Sequence, residues 1–388
     1  MPISVEKPGQ VSLAALPPLA LYVHIPWCVR KCPYCDFNSH ERSGPLPETE
    51  YVEKLFLDFE SLLPQVWGRR LVSVFIGGGT PSLFSPEAID RLLSGVRARL
   101  PLEPQAEITL EANPGAVEAA RFRSFRQAGV NRISIGVQSF DDGMLGALGR
   151  IHSAAEARRA IEAAQASFDN INIDLMYGLP GQSAAMARAD LEQGLVFGLA
   201  HVSAYQLTLE PNTVFWSKPP RLPEHDLCAD MQLAAEERLG AAGYEHYETS
   251  AFARPGRRSR HNLNYWQFGD YAGIGAGAHG KISLPDRITR HSRIKQPKEY
   301  LSSATTVAEE KTVPAEEIAF EFMLNALRLT EGFDVKLFGE RTGLPLSAIE
   351  EPLSKAEKTG LLERDWQRIR PSARGRLFLN ELLQLFLA

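Results

Sequence analysis

The sequence has little of three things: cysteine, net charge and long apolar runs. Four cysteines among 388 residues exclude a disulfide framework of the secreted type and fit a reducing cytoplasm. A net charge of −5 gives no basic footprint, so we expect no nucleic-acid partner. The apolar patch from Val11 to Ala20 is interrupted by Pro17 and Pro18, which makes it too short and too broken for a signal peptide or a membrane span. We therefore expect a cytoplasmic protein, with peripheral contact at the inner face of a membrane left open.

What the sequence does contain is a repeated alternation of strand and helix patterns. Its length points to two domains, or to one large α/β domain with an appendage. The strand patterns lie at residues 19–25, 71–76, 107–112, 132–137, 170–176 and 201–208. Each is followed by a helical pattern, and such alternation predicts a parallel sheet with helical crossovers. The pattern alone fits either a flat, doubly wound sheet or a curved barrel.

A change of composition near residue 307 divides the chain. We expect an N-terminal extension at 1–18, the α/β domain with an accessory segment at 19–306, and a small helical domain at 307–388. In the last part the patterns predict helices at 337–341 and 345–359, a β-wing at 361–370 and a final helix at 371–387.

Three of the four cysteines stand together on a loop that leaves the first strand. Cys28, Cys32 and Cys35 follow a C-x3-C-x2-C spacing, which is a metal-binding pattern. A structural zinc site wants four ligands, but Cys228 is almost two hundred residues away, in a predicted helix where a buried apolar role is expected. Three thiolates with an open fourth position therefore favour an iron–sulfur cluster over a closed zinc site.

The sequence motifs around these cysteines resemble those of a known family. C-x3-C-x2-C with Tyr34 before the last cysteine, the flanking YVHIPWC and CPYCDFNSH, and the later GGGTPS resemble the radical S-adenosylmethionine (SAM) superfamily, and within it the HemN/HemW branch. The resemblance implies an incomplete (β/α)6 TIM-like barrel with a small helical, winged-helix-like C-terminal domain. It also implies a [4Fe–4S] cluster on the three thiolates, SAM on the open iron, and an electron donor for the cluster.

Polar residues at the strand ends match the family's SAM contacts. An arginine fork suits the carboxylate of SAM, an acid has an electrostatic partner in the cationic sulfonium, and consecutive glycines let the backbone approach a ligand. Taken alone, each of these residues would be an ordinary corner or surface residue. The positions implied by the resemblance are Tyr22, Tyr34, Gly78, Gly79, Thr80, Glu111, Gln138, Arg150 and Asp174.

Two functions of different classes follow from the resemblance. In the oxygen-independent coproporphyrinogen III dehydrogenase branch, a radical removes hydrogen from propionate chains and CO2 leaves. That branch has a fourth cysteine two residues beyond the third, where this chain has Phe37. The other branch, the HemW heme chaperones, binds heme and delivers it to respiratory heme proteins, and CPYCDFNSH matches that branch. We therefore favour a heme chaperone, leave open whether it is an enzyme, and leave open a homodimer.

The segment HNLNYW supports the heme interpretation. Histidine is the usual proximal heme ligand, and aromatic rings offer flat faces to a porphyrin. The resemblance assigns heme binding to His261, Asn262, Tyr265 and Trp266, although a buried packing cluster is the ordinary alternative. For a second axial ligand the sequence offers His279 and His291. The arginines before the segment are candidate partners for heme propionates: Arg254, Arg257, Arg258 and Arg260.

Overall fold

The first half of the chain forms six strand–helix units. A computed structural model describes residues 11–387, without the side chains of 116–119. The elements are β1 (Leu19–Ile25), the short pair β2 (Trp27–Cys28) and β3 (His40–Glu41), α1 (Glu48–Val66), β4 (Leu71–Gly78), a 3-10 turn (Pro81–Leu83), α2 (Pro86–Arg99), β5 (Leu102–Ala112), α3 (Ala116–Ala128), β6 (Arg132–Gln138), α4 (Asp142–Ala147), α5 (Ala154–Gln165), β7 (Ile171–Tyr177), α6 (Ala184–Val196) and β8 (His201–Gln206). The strands begin and end near the predicted positions.

The second half adds strands to both edges of this sheet. Its elements are α7 (Val214–Ser217), α8 (His225–Ala241), β9 (Glu245–Glu248), β10 (Ala251–Ala253), α9 (Arg260–Trp266), β11 (Asp270–Ile274), β12 (His279–Leu284), β13 (Arg287–Arg293), α10 (Pro297–Ser302) and β14 (Val307–Thr312). The strand order is β14-β13-β12-β11-β1-β4-β5-β6-β7-β8-β10-β9. β1 to β8 in this order are parallel, and β11 is parallel to β1. Within residues 11–387 the outer strands β9 and β14 do not pair with each other, so the predicted incomplete barrel is confirmed.

The last part of the chain is a small unit of helices and a wing. It contains α11 (Ala315–Ala326), β15 (Phe333–Asp334), α12 (Val335–Thr342), a 3-10 turn (Leu346–Ile349), α13 (Glu350–Lys358), β16 (Leu362–Arg364), β17 (Arg368–Pro371), α14 (Ala373–Leu377) and α15 (Leu379–Gln384). β16 and β17 form the antiparallel wing that the pattern predicted. The prediction of one final helix is wrong, because Phe378 leaves the helical region (φ −115°, ψ 46°) and separates α14 from α15.

Two hydrophobic cores hold these parts. The larger lies between the sheet and the helices around it, and the smaller lies in the C-terminal unit. Val11 and Leu13, from the predicted N-terminal extension, pack in the smaller core. β14, from the residues predicted as the C-terminal domain, pairs with β13 of the large sheet. Among residues 11–387 no helix has both the length and the apolar character needed to cross a membrane.

The inner face of the barrel is polar, which sets up the site. Because side chains alternate along a strand, register partners share a face. Tyr22 pairs with Phe75, Phe75 with Thr109, and Thr109 with Arg132. Glu111 lies two residues after Thr109 on the same face of β5. The polar residues near the ends of β6, β7 and β8 continue this face on the neighbouring strands.

Candidate functional site

A pocket at the carboxyl ends of the parallel strands collects most of the predicted site residues. This edge is where chemistry sits in barrels of parallel strands. The pocket is lined by Cys28, Arg30, Cys32, Tyr34, Cys35, Phe37, Ser39, Gly78, Gly79, Thr80, Pro81, Glu111, Ala112, Asn113, Ser134, Gly136, Gln138, Arg150, Asp174 and Tyr205. Three thiols and eight of the nine predicted SAM contacts are thus brought together. Tyr22 is the ninth, and it is not part of this lining.

The three thiols are free, half-buried and on one wall of the pocket. Burial raises the pKa of Cys28 and of Cys35, and the neighbouring thiol of Cys32 adds to that effect at both. Within residues 11–387 no three His, Cys, Asp or Glu side chains converge on a point that could hold a single ion. A cubane cluster binds each thiolate at a different iron, and three thiols that line one pocket are a donor set that fits such a cluster.

The glycines of the β4 corner have a structural reason as well as a ligand-binding one. Gly78 has φ 120°, and a Cβ there would meet the His24 ring at 2.7 Å; a Cβ on Gly79 would meet the Trp27 carbonyl oxygen at 2.6 Å. The chain therefore needs glycine at both places to bring the β4 corner against the cysteine loop. Thr80 completes the contact, because its N–H donates to the Trp27 carbonyl at 2.7 Å.

His24 connects the first strand to the cysteine loop, and sequence reasoning missed it. Its Nε2 lies 2.8 Å from the Asn38 carbonyl and its Nδ1 lies 2.9 Å from the Tyr22 hydroxyl. A carbonyl only accepts, so Nε2–H donates to Asn38 and Nδ1 accepts from Tyr22. Burial lowers the pKa of His24 to about 4, which keeps this neutral tautomer at physiological pH. Tyr22, a predicted SAM contact, thereby has its hydroxyl bonded to a neighbour on the same strand.

Two half-buried carboxyl groups, Glu111 and Asp174, face the interior of the barrel. Burial, together with the nearby Asp174, raises the pKa of Glu111 to about 8, and the Gly78 N–H donates to its Oε2 at 3.1 Å. Burial also raises the pKa of Asp174, although Asn172 Nδ2 donates to it at 2.8 Å and Ser134 Oγ at 3.3 Å. A cationic ligand would favour the ionised form of both carboxyl groups.

Arg150 is held by a chain of polar groups. Its Nη2 donates to the Asn113 side-chain oxygen at 2.8 Å and to the Gly136 carbonyl at 2.7 Å, and its Nη1 approaches Cys32 Sγ at 3.6 Å. Asn113 Nδ2 in turn donates to Thr80 Oγ1 at 2.8 Å. Arg150 Nε is buried without a hydrogen-bond partner among the described residues, so the fork retains a donor for an anionic group.

Asn113 and Tyr205 are pocket residues that sequence reasoning did not single out. Asn113 stands two residues after Glu111 in LEANP, and this position just beyond a strand end was the available signal. The Tyr205 hydroxyl donates to Gln138 Oε1 at 2.7 Å. Gln138 itself has φ 68°, a conformation that costs free energy for a residue other than glycine and is typical of functional sites.

The HNLNYW segment is helix α9, at the opposite end of the barrel. Ser259 caps it, accepting from the Asn262 N–H at 3.3 Å, and both Ser259 Oγ and the His261 N–H donate to Glu107 at 3.2 Å. His261 is only 3% exposed, with Nδ1 2.9 Å from Ser73 Oγ. Its Nε2 has no hydrogen-bond partner in the part of the chain that the structure describes. His261 is thus a buried residue that keeps one free ligand atom.

Aromatic rings surround His261 on both sides. It stacks on Phe75 at 4.9 Å between ring centroids and meets Tyr265 edge-on at 5.0 Å. Trp266 is half-buried, and the guanidinium of Arg328 lies 4.4 Å from its ring centroid. The rings of the segment are therefore already packed against protein groups and do not form an open, flat face.

Three of the four arginines before the segment are also engaged, whereas Arg257 is exposed. Arg258 forms ion pairs with Glu245 at 3.1 Å and Glu331 at 2.9 Å. Arg260 donates to Gln105, and Arg254 lies over the ring of Tyr244. These three side chains support the fold near α9, so the expectation that they meet propionates has no support in their contacts.

The remaining candidates lie elsewhere. His279 is exposed and His291 is buried on neighbouring strands β12 and β13. Cys228 is 4% exposed on α8 and lies near the glycine turn at Gly178, a buried site away from the three thiols. Phe37 lines the thiol pocket and is 60% exposed.

Comparison with known proteins gives the family. The radical SAM superfamily profile matches residues 22–193, and the HemN C-terminal domain profile matches residues 313–378. Heme chaperone HemW of Escherichia coli is 49% identical over 97% of this chain and 100% of that protein. Heme chaperone HemW of Haemophilus influenzae is 48% identical over 96% of this chain and 98% of its own.

A solved structure gives the same fold. Coproporphyrinogen III oxidase (HemN) from Escherichia coli, a radical SAM enzyme, superposes with a TM-score of 0.81 at 22% identity, over 96% of this chain and 90% of that one. At this identity the similarity concerns the fold alone. The identity with the two HemW proteins extends over nearly the whole chain, and we conclude that the chain belongs to the HemW family of the radical SAM superfamily.

Proposed function

We propose that the protein is a heme chaperone that carries a [4Fe–4S] cluster, SAM and heme, and delivers heme to respiratory heme proteins. The observation that carries the proposal is the pocket that Cys28, Cys32 and Cys35 share with two half-buried carboxyl groups and a hydrogen-bonded arginine, in a chain half identical to proteins named heme chaperones. We further propose a cytoplasmic location, with release of heme at the inner face of the membrane.

Different residues of the pocket bind the cluster and the different parts of SAM. The three thiols hold the cluster, and Gly78, Gly79 and Thr80 bring their backbone against it. Arg150 meets the carboxylate of SAM, Asp174 meets the ribose, and Glu111 faces the sulfonium. When bound, the cluster and SAM supply the reductive chemistry of the superfamily, for which an electron donor is a required partner.

The cluster assignment is tested by anaerobic reconstitution with iron and sulfide. The wild-type protein is expected to develop the visible absorption of a [4Fe–4S] cluster and to bind about four irons per chain. Cys28→Ser should lose this absorption. Cys228→Ser is the matched control, because Cys228 lies apart from the three thiols, and it should keep the absorption. Equal spectra for the two variants would contradict the assignment.

The chaperone function is tested by heme transfer. The protein loaded with heme is expected to pass it to a heme-free respiratory acceptor, observed as movement of the Soret absorption to the acceptor after separation. The competing function, coproporphyrinogen III dehydrogenase, is tested with SAM, a reductant and coproporphyrinogen III. Formation of protoporphyrinogen IX would overturn the chaperone proposal, whereas transfer without that product supports it.

A further inference from the structure

A chain of hydrogen bonds leads from the interior of the protein to Asp174, the proposed ribose contact of the SAM pocket. It connects strands β7, β8 and β9 with the start of α9, through Asp174, Asn172, His201, Tyr247 and Ser259. All of these residues except Asp174 are buried, and Asp174 is the one that lines the pocket. Contact with SAM therefore does not explain the other four polar groups.

Strand register brings the middle of the chain together. Asn172 of β7 pairs with His201 of β8, and Asp174 pairs with Ser203. Because side chains two positions apart on a strand lie on one face, Asn172 and Asp174 both face the interior of the barrel. Tyr247 lies on the outer strand β9, and its ring meets His201 edge-on at 5.6 Å between centroids.

The direction of each hydrogen bond follows from the carboxylate. A carboxylate only accepts, so it is Asn172 Nδ2 that lies 2.8 Å from Asp174 Oδ1. The side-chain oxygen of Asn172 then faces His201 and accepts from its Nδ1–H at 2.6 Å. His201 Nε2 is left as an acceptor, and the Tyr247 hydroxyl donates to it at 2.8 Å.

The other end of the chain fits the same direction. Burial, together with the nearby Arg132, lowers the pKa of His201 well below its usual value, so the ring is neutral and carries one N–H. The Ser259 N–H, at the N-cap of α9, donates to the Tyr247 oxygen at 3.4 Å. The hydroxyl hydrogen of Tyr247 is thereby left for His201. Four donors in a row point toward Asp174, and hydrogen bonds aligned in this way strengthen one another.

Asn172 transmits this alignment to the carboxylate. Its Nδ2 also donates to Ser134 Oγ at 2.8 Å, and its Oδ1 also accepts from Ser203 Oγ at 3.1 Å. The amide group therefore has a partner in each of its directions and is fixed in one orientation. Ser134 Oγ in turn donates to Asp174 Oδ2 at 3.3 Å, so both oxygens of the carboxylate are held.

We propose that His201 and Tyr247 are positioning residues of the SAM site. They fix the orientation of Asn172, and Asn172 holds the Asp174 carboxylate ready to accept from the ribose hydroxyls of SAM. The proposal rests on the proposed SAM binding and deepens it, because it extends the ribose end of the site to two buried residues outside the pocket lining. A role limited to packing inside the protein is the alternative that the experiments separate from it.

The first test is SAM affinity, measured by equilibrium dialysis with the full-length, cluster-loaded protein. Tyr247→Phe removes the hydroxyl and keeps the ring, and it is expected to weaken SAM binding about fivefold, the effect of one hydrogen bond. Tyr244→Phe is the matched control. It also removes a buried hydroxyl, but this one donates to the Leu199 carbonyl at 2.7 Å, and the variant should bind SAM like wild type.

His201 is tested with a conservative and an apolar variant. His201→Asn keeps an N–H close to the position of Nδ1–H and should retain most of the SAM affinity. His201→Leu has no donor for Asn172 and should bind SAM about tenfold more weakly. A residue that only packs would show the opposite order, because leucine fills apolar space better than asparagine, and that order would overturn the proposal.

A double-mutant cycle shows whether the effect passes through Asp174. In an Asp174→Asn background, Tyr247→Phe should cause no further loss of SAM affinity, because residues that act through one group are not additive. Additive losses, or equal affinities of Tyr247→Phe and Tyr244→Phe, would overturn the positioning role and leave the SAM site standing. A wild-type protein that binds no SAM would overturn both.

Discussion

At the scale of single residues, Glu111 shows how burial sets chemistry. Its carboxyl has a pKa of about 8 because it is buried and faces Asp174. At pH 7 about one carboxyl in ten is ionised. A ligand that carries a positive charge binds the ionised form better, so its binding releases a proton.

SAM affinity is therefore expected to depend on pH. It should rise between pH 6 and pH 8, by at most about tenfold per pH unit, and level off above the pKa of Glu111. Glu111→Gln cannot ionise and should remove this dependence in the same range. Equilibrium dialysis of SAM with the cluster-loaded protein measures both. Parallel curves for the two proteins would show that another group causes the dependence.

Site residues were predictable from the sequence where a motif places them at the end of a strand. The thiols, Gly78, Gly79, Thr80, Glu111, Gln138, Arg150 and Asp174 line one pocket, because strand ends of a parallel sheet meet at one edge. Their roles toward SAM stay predictions. His24 could not be found this way, because its importance comes from a partner 14 residues away. Asn113 offered only its position beyond a strand end, because its partner Thr80 lies 33 residues away. The burial of His261 was equally hidden, since it depends on where α9 docks.

At the scale of elements, Asp58 of α1 ties the barrel to its added strands. Its carboxylate accepts from Arg293 Nε at 2.6 Å, Tyr300 hydroxyl at 2.7 Å, Thr306 hydroxyl at 2.9 Å and the Gly275 N–H at 3.0 Å. Asp58 and Arg293 both have fully buried side chains. The structure thus joins α1 to four residues that lie more than 200 positions later through one carboxylate.

Asp58→Ala is expected to lower the free energy of unfolding by about 3–5 kcal/mol, because it leaves the buried Arg293 cation without a counterion. Urea denaturation monitored by circular dichroism measures the change. The control is Glu53→Ala on the same helix, which removes an exposed pair with Arg91 and should cost at most about 1 kcal/mol. Similar losses for the two variants would mean that Asp58 does not have this role.

The six strand–helix units were predictable because their hydrophobic patterns are local. The strand β11 and the start of β12 were not, since the glycines at 269–280 remove the side-chain pattern that identifies a strand. The pairing of β11 with β1 also depends on a contact about 250 residues apart, which no window of sequence contains. The position of the short helix α9 was not predictable either. It depends on hydrogen bonds to Glu107 and Ser73, which belong to other elements.

At the scale of the whole molecule, residues 11–13 pack against the C-terminal unit. Val11 and Leu13 pack in the core of the C-terminal unit, and Ser12 lies against Gly343 at the end of α12. The Leu13 N–H also donates to the Pro285 carbonyl at 2.9 Å. The N-terminal segment therefore connects the C-terminal unit to the hairpin between β12 and β13.

Leu13→Ala is expected to destabilise the C-terminal unit by about 2–3 kcal/mol through loss of buried apolar area and a residual cavity. Hydrogen exchange should become faster in α12 and remain unchanged in β1. Leu16→Ala removes a leucine that is 38% exposed and serves as the control, with an effect of about 0.5 kcal/mol or less. Faster exchange spread evenly over both cores would contradict a local role for Leu13.

The pairing of β1 with β11 also determines when, during synthesis of the chain, β1 can gain its second neighbour. The cysteine loop follows β1 directly, but the second neighbour of β1 ends at Ile274, about 250 residues later. At a synthesis rate of about 5–20 residues per second, the ribosome needs about 12–50 s to make that stretch. During this interval β1 has one unpaired edge, and the three thiols are attached to a strand that is not yet fixed in the sheet. We therefore expect the proposed cluster to be inserted only after residue 274 has been made and β1 has both of its neighbours.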